Sequence, residues 1–289
     1  MHLVTFARDG APRLGVLENG TVLDLHALDR SLPADMLGFI RAGASVLPAA
    51  REAAAAGLRG LEAGQAFPLS AVRLLAPIPR PAKNIFCLGR NYVAHARERG
   101  AEPPGHPVFF TKPPTAVIGP EAEIVADGLT RQLDFEVELA VVMGREGKNI
   151  RPEEVWGHIF GYTILVDITA RDLQKTHQQW FKGKSLDTFC PLGPAIVTAE
   201  AFPNPQAVDI RMRVNGEVRQ ASNTEKMIFD LPTIVSVLSW GMTLEPGDVI
   251  ATGTPEGVGA ADGRFLKAGD LLEAEVEGIG VLRNRVAGA

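Results

Sequence analysis

Two apolar runs in this chain carry acidic residues where a buried strand has no room for bare charge. DFEVELAVV places Glu136 and Glu138 two apart, and GYTILVDIT sets Asp167 among Ile164, Leu165, Val166 and Ile168. Residues two apart on a strand share a face, so Glu136 and Glu138 project together while Val137 and Leu139 project from the other side. An ionised carboxylate in such surroundings loses its water and repels its neighbours unless something compensates it. A divalent cation does so, and oxygen-only ligands favour Mg²⁺, Mn²⁺ or Ca²⁺ over zinc while leaving positions for water or substrate. Ion pairing does so too, with Glu136 and Glu138 on the solvated face of a sheet and Asp167 meeting an arginine such as Arg171. The residues alone leave both arrangements open.

The chain has 289 residues, of which 46% are hydrophobic, enough for one large domain with an appendage or for two domains with real cores. Its formal net charge of -5, with no run of Lys and Arg, speaks against nucleic acid or an anionic membrane as partner. Small-molecule chemistry is the expectation. Cys87 and Cys190 each sit in apolar text without a nearby second ligand, which predicts neither a disulfide nor a thiolate metal site and suits a reducing compartment. MHLVTFARDG has no basic region followed by a long apolar stretch, and no later run has the apolar length of a membrane span. A soluble cytoplasmic protein is expected.

Residues 1–76 read as a small α+β domain. LVTF and RLGVLENGTVLDL carry strand signals around an Asn19-Gly20 turn, and helical text follows at Leu37, Ile40 and the alanine-rich stretch 49–61. APIPRPAKN marks a boundary near Pro77 to Pro81, and β-type runs dominate residues 77–289. Two longer helical patterns interrupt them, over 92–99 and 227–240. The strands are not regularly separated by crossover helices, so the prediction is a strand-rich α+β fold and not a doubly wound parallel sheet.

Three further segments carry chemistry. In GRNYVAHARERG, His95 and Glu98 are three apart and neighbours on one helical face, where a carboxylate can set the imidazole tautomer for general-base work; a solvated surface helix explains the same text. Lys184, in WFKGKSLDTFCPLGP, is a polar island suited to binding a carboxylate or a developing oxyanion, or else a surface lysine; the glycine a phosphate loop needs is replaced by Gln178. The stretch ATGTPEGVGAADG can offer backbone amides and the hydroxyls of Thr252 and Thr254 to an anion, or serve only as a tight connection. RVNGEVRQ, turning at Asn215-Gly216, is a structural hairpin.

Taken in order, GRNY with His95 and Glu98, FFTKP around Lys112, Glu136-x-Glu138, VDITARD, GKS at Lys184, VNGEVRQ and TGTPEGVG resemble the fumarylacetoacetate hydrolase family across residues 80 to 260. The resemblance implies a roll of mixed sheets in β-sandwich style, usually a homodimer. It implies Mg²⁺ or Mn²⁺ on Glu136, Glu138 and Asp167, with Ca²⁺ as a further occupant, and a His95–Glu98 dyad on a lid that orders over substrate. It also implies that Arg90, Tyr92, Lys112 and Thr254 bind a keto acid. His177, Gln178 and Trp180 are further candidates for the pocket wall.

Members of that family act on β-dicarbonyl acids by hydrolysis, decarboxylation or isomerisation. With the dyad intact, hydrolysis of an acylpyruvate-type carbon–carbon bond is ranked first: His95, oriented by Glu98, deprotonates water, and Lys184, alone or with Gln174, meets the oxyanion. Decarboxylation of an oxaloacetate-type acid and isomerisation of a dienedioate use the same metal. A catalytically idle keto-acid binder is the reading from a different class.

Overall fold

The computed structural model describes residues 1–8, 10–59, 64–126 and 128–288, and the counts below refer to them. The strand-rich α+β fold is built on a twelve-stranded mixed sheet. At its centre Val137–Met143 pairs antiparallel with Ile159–Val166 on one side and with Val249–Ala251 on the other. Ile85–Gly89 then joins in parallel and Val108–Lys112 closes that end.

The other end is made by the first residues of the chain. His2–Ala7 pairs antiparallel with Cys190–Thr198, in the register Leu3 to Ile196, and Pro12–Glu18 and Thr21–Asp24 extend the sheet outward. The N-terminal strands therefore share hydrogen bonds with the sheet that carries the acidic residues. The turn at Asn19 and Gly20 has φ of 49° and 75°, the left-handed pair that a two-residue hairpin of right-handed twist demands. The alanine-rich helix spans Leu47–Arg59, and the last two residues of the stretch expected there lie outside the described residues.

A five-stranded sheet packs on one face of the large one. Its core hairpin, Asp209–Val214 with Glu217–Asn223, turns at Asn215 and Gly216 with φ of 52° and 81°. Leu139, Val141 and Met143 from the central strand join Ile210, Met212, Leu272 and Ala274 in the cluster between the sheets. Ala140 and Val142 of that strand face the other way, into a second cluster with Leu3, Phe39, Ile40 and Ala50 of the N-terminal region. A strand covered on both faces needs apolar residues at every position, and this one has them except where Glu138 interrupts.

The two helices expected from the longer patterns are shorter than expected. One is Val93–Glu98, with Tyr92 at its N-cap; the other is Leu231–Ser239, begun by Asp230, whose side chain accepts from the Thr233 amide at 2.8 Å. That acidic cap, followed by Pro232, stops the second helix four residues short of the expected start.

Candidate metal and active site

Strand register brings the acidic residues together. Val137 pairs with Val166, so Glu136 and Asp167 lie side by side just past the paired residues, and the Asp167 amide donates to the Glu136 carbonyl at 2.8 Å. Glu138, two residues on, shares the face of Glu136. The three carboxylates are buried, and one oxygen from each lies within 4.8 Å of the others.

The cations around them are buried as well. Lys184 Nζ donates to Glu136 Oε2 at 2.7 Å and to Asp167 Oδ2 at 2.6 Å. Lys112 Nζ donates to Asp167 Oδ1 and, at 3.1 Å, to the Ile168 carbonyl. Arg171 splits its guanidinium between Asp134, from Nε at 2.8 Å, and Glu136, from Nη2 at 2.6 Å. Arg171 therefore does not meet Asp167, as the ion-pair reading had it; the chain turns into the helix Arg171–Thr176 and carries the arginine to Asp134 and Glu136 instead.

Four buried carboxylates (Asp134, Glu136, Glu138, Asp167) thus face three buried cations (Lys112, Arg171, Lys184), and among the described residues Glu138 has no ion-pair partner. Burial disfavours ionisation of Glu136, yet Lys184 and Arg171 overcome it and hold its carboxyl far below the usual range. Glu138 goes the other way: burial, then Asp167 and Glu136, push its carboxyl well up. Among the described residues its hydrogen bond is to the Gly253 amide, which donates to Oε2 at 2.7 Å. The nearby Tyr92 hydroxyl is buried without a partner among the described residues. One uncompensated negative charge inside an all-oxygen triad is the setting that a divalent cation fits.

The glycine-rich stretch binds anions, but the anions are the protein's own carboxylates. The Gly253 amide holds Glu138, the Gly257 amide holds Glu98 Oε2 at 2.9 Å, and the Gly259 and Ala260 amides hold Asp134 at 2.6 and 3.0 Å. Gly253 and Gly257 have φ of 95° and 100°, and a Cβ on Gly257 would sit 2.0 Å from the Arg219 carbonyl, so a side chain there is excluded twice over. Thr252 and Thr254 direct their hydroxyls to the Leu139 and Val137 carbonyls, tying the stretch to the central strand.

The dyad is formed. His95 Nδ1 lies 2.8 Å from Glu98 Oε1, and with Glu98 fixed by Gly257 the carboxylate selects the Nδ1–H tautomer, leaving the Nε2 lone pair without a partner among the described residues. His95 lines a cavity of about 270 Å³ with Arg90, Gln174, Lys184 and Thr254, and with Glu136. Gln178 and Trp180 are in its wall, and His177 is not among the lining residues. Trp180 packs edge-on to Phe110 at 5.5 Å, lies under the Arg90 guanidinium, and fills the space beside Gly89, where a Cβ would come within 2.2 Å of its ring.

Two expected substrate contacts lie behind the wall. Lys112 is fully buried with its ammonium engaged by Asp167, and Tyr92 is buried as the N-cap of the dyad helix; neither lines the cavity. Asp134 and Gln220 were given no role in advance, and Arg171 was expected with another partner. Asp134 and Arg171 form the buried pair behind Glu136, and Gln220, from the far strand of the hairpin, holds Thr254 Oγ1 and the Pro255 carbonyl at 2.8 Å while accepting from the Val137 amide. Gln220 closes the VNGEVRQ motif, which marked the segment but gave the residue no role beyond a structural hairpin.

Residues 84–287 match the family described as fumarylacetoacetate (FAA) hydrolase, C-terminal, and residues 1–77 match one described as Rv2993c-like, N-terminal. The chain belongs to the fumarylacetoacetate hydrolase family. It is 44% identical to the oxaloacetate tautomerase YisK of Bacillus subtilis, with 94% of each chain covered. Among solved structures, a fumarylacetoacetate hydrolase from Exiguobacterium antarcticum superimposes over the whole of both chains with a TM-score of 0.84 at 42% identity. A maleylpyruvate hydrolase from Sphingobium sp. SYK-6, in complex with manganese (II) ion and pyruvate, has a TM-score of 0.80 at 33% identity, with 99% of each chain covered. The family's enzymes thus include both hydrolases and tautomerases, and the chain is an enzyme of that superfamily. Among the described residues, no helix is long and apolar enough to cross a membrane.

Proposed function

We propose that the protein is a metal-dependent tautomerase that interconverts the keto and enol forms of a short keto dicarboxylate of oxaloacetate type. The observation that carries this is the His95 imidazole, held through Nδ1 by Glu98 at 2.8 Å, with Nε2 unpartnered at a cavity that also exposes Glu136 and Lys184. Tautomerisation asks one group to take a proton from carbon and return it to oxygen, and a neutral imidazole with a fixed tautomer does both. Glu98 stabilises the imidazolium while it carries the proton. The resemblance to YisK, over nearly the whole chain, supports the same reaction.

Glu136, Glu138 and Asp167 are the residues to hold Mg²⁺ or Mn²⁺, which when bound supplies Lewis-acid polarisation of the substrate oxygens. Lys184 is best assigned to keeping Glu136 and Asp167 charged and in place, since two of its three N–H bonds go to them. Gln174, its Oε1 accepting from Arg171 Nη1 at 3.2 Å, keeps an amide N–H₂ for the ligand. Arg90 and Trp180 close the other side of the cavity. Hydrolysis, ranked first on sequence, demands more of the same residues: a positioned water and a donor for a tetrahedral oxyanion. The hydrolase neighbours keep it as the competing reading. A homodimer remains the proposed assembly.

The deciding experiment follows the enol absorbance of oxaloacetate with Mg²⁺ and with chelator, alongside mass spectrometry of acetylpyruvate and fumarylpyruvate incubations. Metal-dependent acceleration of tautomerisation, with deuterium entering C3 from heavy water and no cleavage, is the expected result. Release of pyruvate and the matching acid without faster tautomerisation makes the protein a hydrolase.

A further inference from the structure

Five cationic side chains line the cavity, and they divide by partner. Arg171 and Lys184 are engaged by buried carboxylates, whereas Arg90, Arg99 and Lys175 have no carboxylate partner among the described residues. Lys175 is exposed, and Arg90 lies over the Trp180 ring at 5.3 Å. Arg99 is different. It is half-buried at the C-cap of the dyad helix, and Nη1 is anchored on the Ala260 carbonyl at 3.2 Å while Nε and Nη2 have no partner among the described residues.

Arg99 follows His95 by four residues, so the two side chains share one face of the helix and reach the same cavity. That juxtaposition has a chemical meaning if the proposed tautomerase reading holds, on which this inference rests. His95 must reach the carbon that loses its proton, and in a keto diacid of oxaloacetate type the second carboxylate is attached to that carbon. It therefore falls beside His95, where the next side chain along the face is Arg99. Proton removal there adds negative charge next to a carboxylate, which a half-buried guanidinium offsets and water does so less well. We propose that Arg99 binds the second carboxylate of the substrate, so that the site selects keto dicarboxylates over keto monocarboxylates. A monocarboxylate leaves the two open donors unpaired, the situation in which a polar site rejects the smaller analogue.

The test uses unreactive ligands, so it does not depend on turnover. Malate and lactate, which differ by the second carboxylate, are titrated calorimetrically into the Mg²⁺-loaded protein and its R99Q, R99K and R90Q variants. Malate should bind the unaltered protein more tightly than lactate. R99Q should lose roughly tenfold or more in malate affinity, the scale of a charge-assisted hydrogen bond, with lactate unchanged, and R99K should recover part of it. An unchanged malate-to-lactate ratio in R99Q overturns the proposal, as does a ratio that collapses in R90Q instead. Equal loss of both ligands in R99Q, with no recovery in R99K, also overturns it, by showing that Arg99 merely ties the helix to Ala260. If the unaltered protein binds neither ligand, the keto-acid reading falls and Arg99's role with it. A malate preference that R99Q removes, in a protein without tautomerase activity, upholds the Arg99 assignment and discards only the tautomerase.

Discussion

The two faces of the central strand are built by different physics. Val137, Leu139, Val141 and Met143 pack into the cluster between the sheets, where stabilisation is non-directional and scales with the apolar area removed from water. On the opposite face Glu136 and Glu138 precede Ala140 and Val142, and each carboxylate is held by particular partners: Lys184 and Arg171 for Glu136, the Gly253 amide for Glu138. The apolar face can trade one residue for another of similar volume. The acidic face cannot, because deleting Glu136 takes a partner from the buried Lys184 and Arg171 and deleting Glu138 takes away a candidate metal ligand.

The largest effect expected from breaking this contrast comes from Glu138→Ala. It removes one of three oxygens that lie within 4.8 Å of each other, and activity should fall to background together with Mg²⁺ affinity by calorimetry. Unchanged affinity and turnover would remove the triad from the site. His95→Ala should come next, with turnover down by about a hundredfold or more and metal affinity largely preserved, since the hydrogen bond His95 makes among the described residues is to Glu98 and not to the triad. Normal turnover in that variant would assign the proton transfer elsewhere. Leu139→Ala probes the other face: about 2–5 kcal/mol of stability should be lost in denaturant titrations, while the folded fraction keeps its metal affinity. A matching loss of metal binding would mean that the two faces are not independent.

How much of this was legible depends on how local each cause is. The pairing of Glu136 with Glu138 follows from a period of two, and the Asn215-Gly216 and Asn19-Gly20 turns follow from the left-handed backbone those residues tolerate. The triad itself was legible because residues 80 to 260 carry a family's ordered motifs. Partner choice was not. Arg171 reaches Asp134 and Glu136, and not Asp167, because of the direction in which the helix Arg171–Thr176 leaves the strand. Lys112 belongs to Asp167 because Val108–Lys112 lies at the end of the sheet, next to Ile85–Gly89. Gln220 reaches Val137 across 83 residues of sequence. The glycine-rich stretch shows the same limit from the other side: its anion-binding character was visible, but that its anions are Glu98, Glu138 and Asp134 was set by packing alone.

The contrast sharpens with a smaller effect, read as stability against pH. Burial, Asp167 and Glu136 raise the Glu138 carboxyl well above its ordinary value of 4.5. For a carboxyl raised on folding, the favourable contribution is complete below the unfolded-state pKa of about 4 and is lost as pH rises through the folded-state value. With chelator present, the protein should therefore lose stability from this group as pH rises above the ordinary carboxylate range. Glu138→Gln, which accepts the Gly253 amide without carrying charge, should lose none. The melting temperature of the variant should exceed that of the unaltered protein at alkaline pH, by a margin that shrinks to nothing near pH 4. Saturating Mg²⁺ should reverse the order, because only the unaltered protein gains the mass-action stabilisation of a ligand bound to its native state. A variant less stable than the unaltered protein in chelator at every pH would mean that Glu138 already has a positive partner, and the excess charge on which the metal assignment rests would be gone.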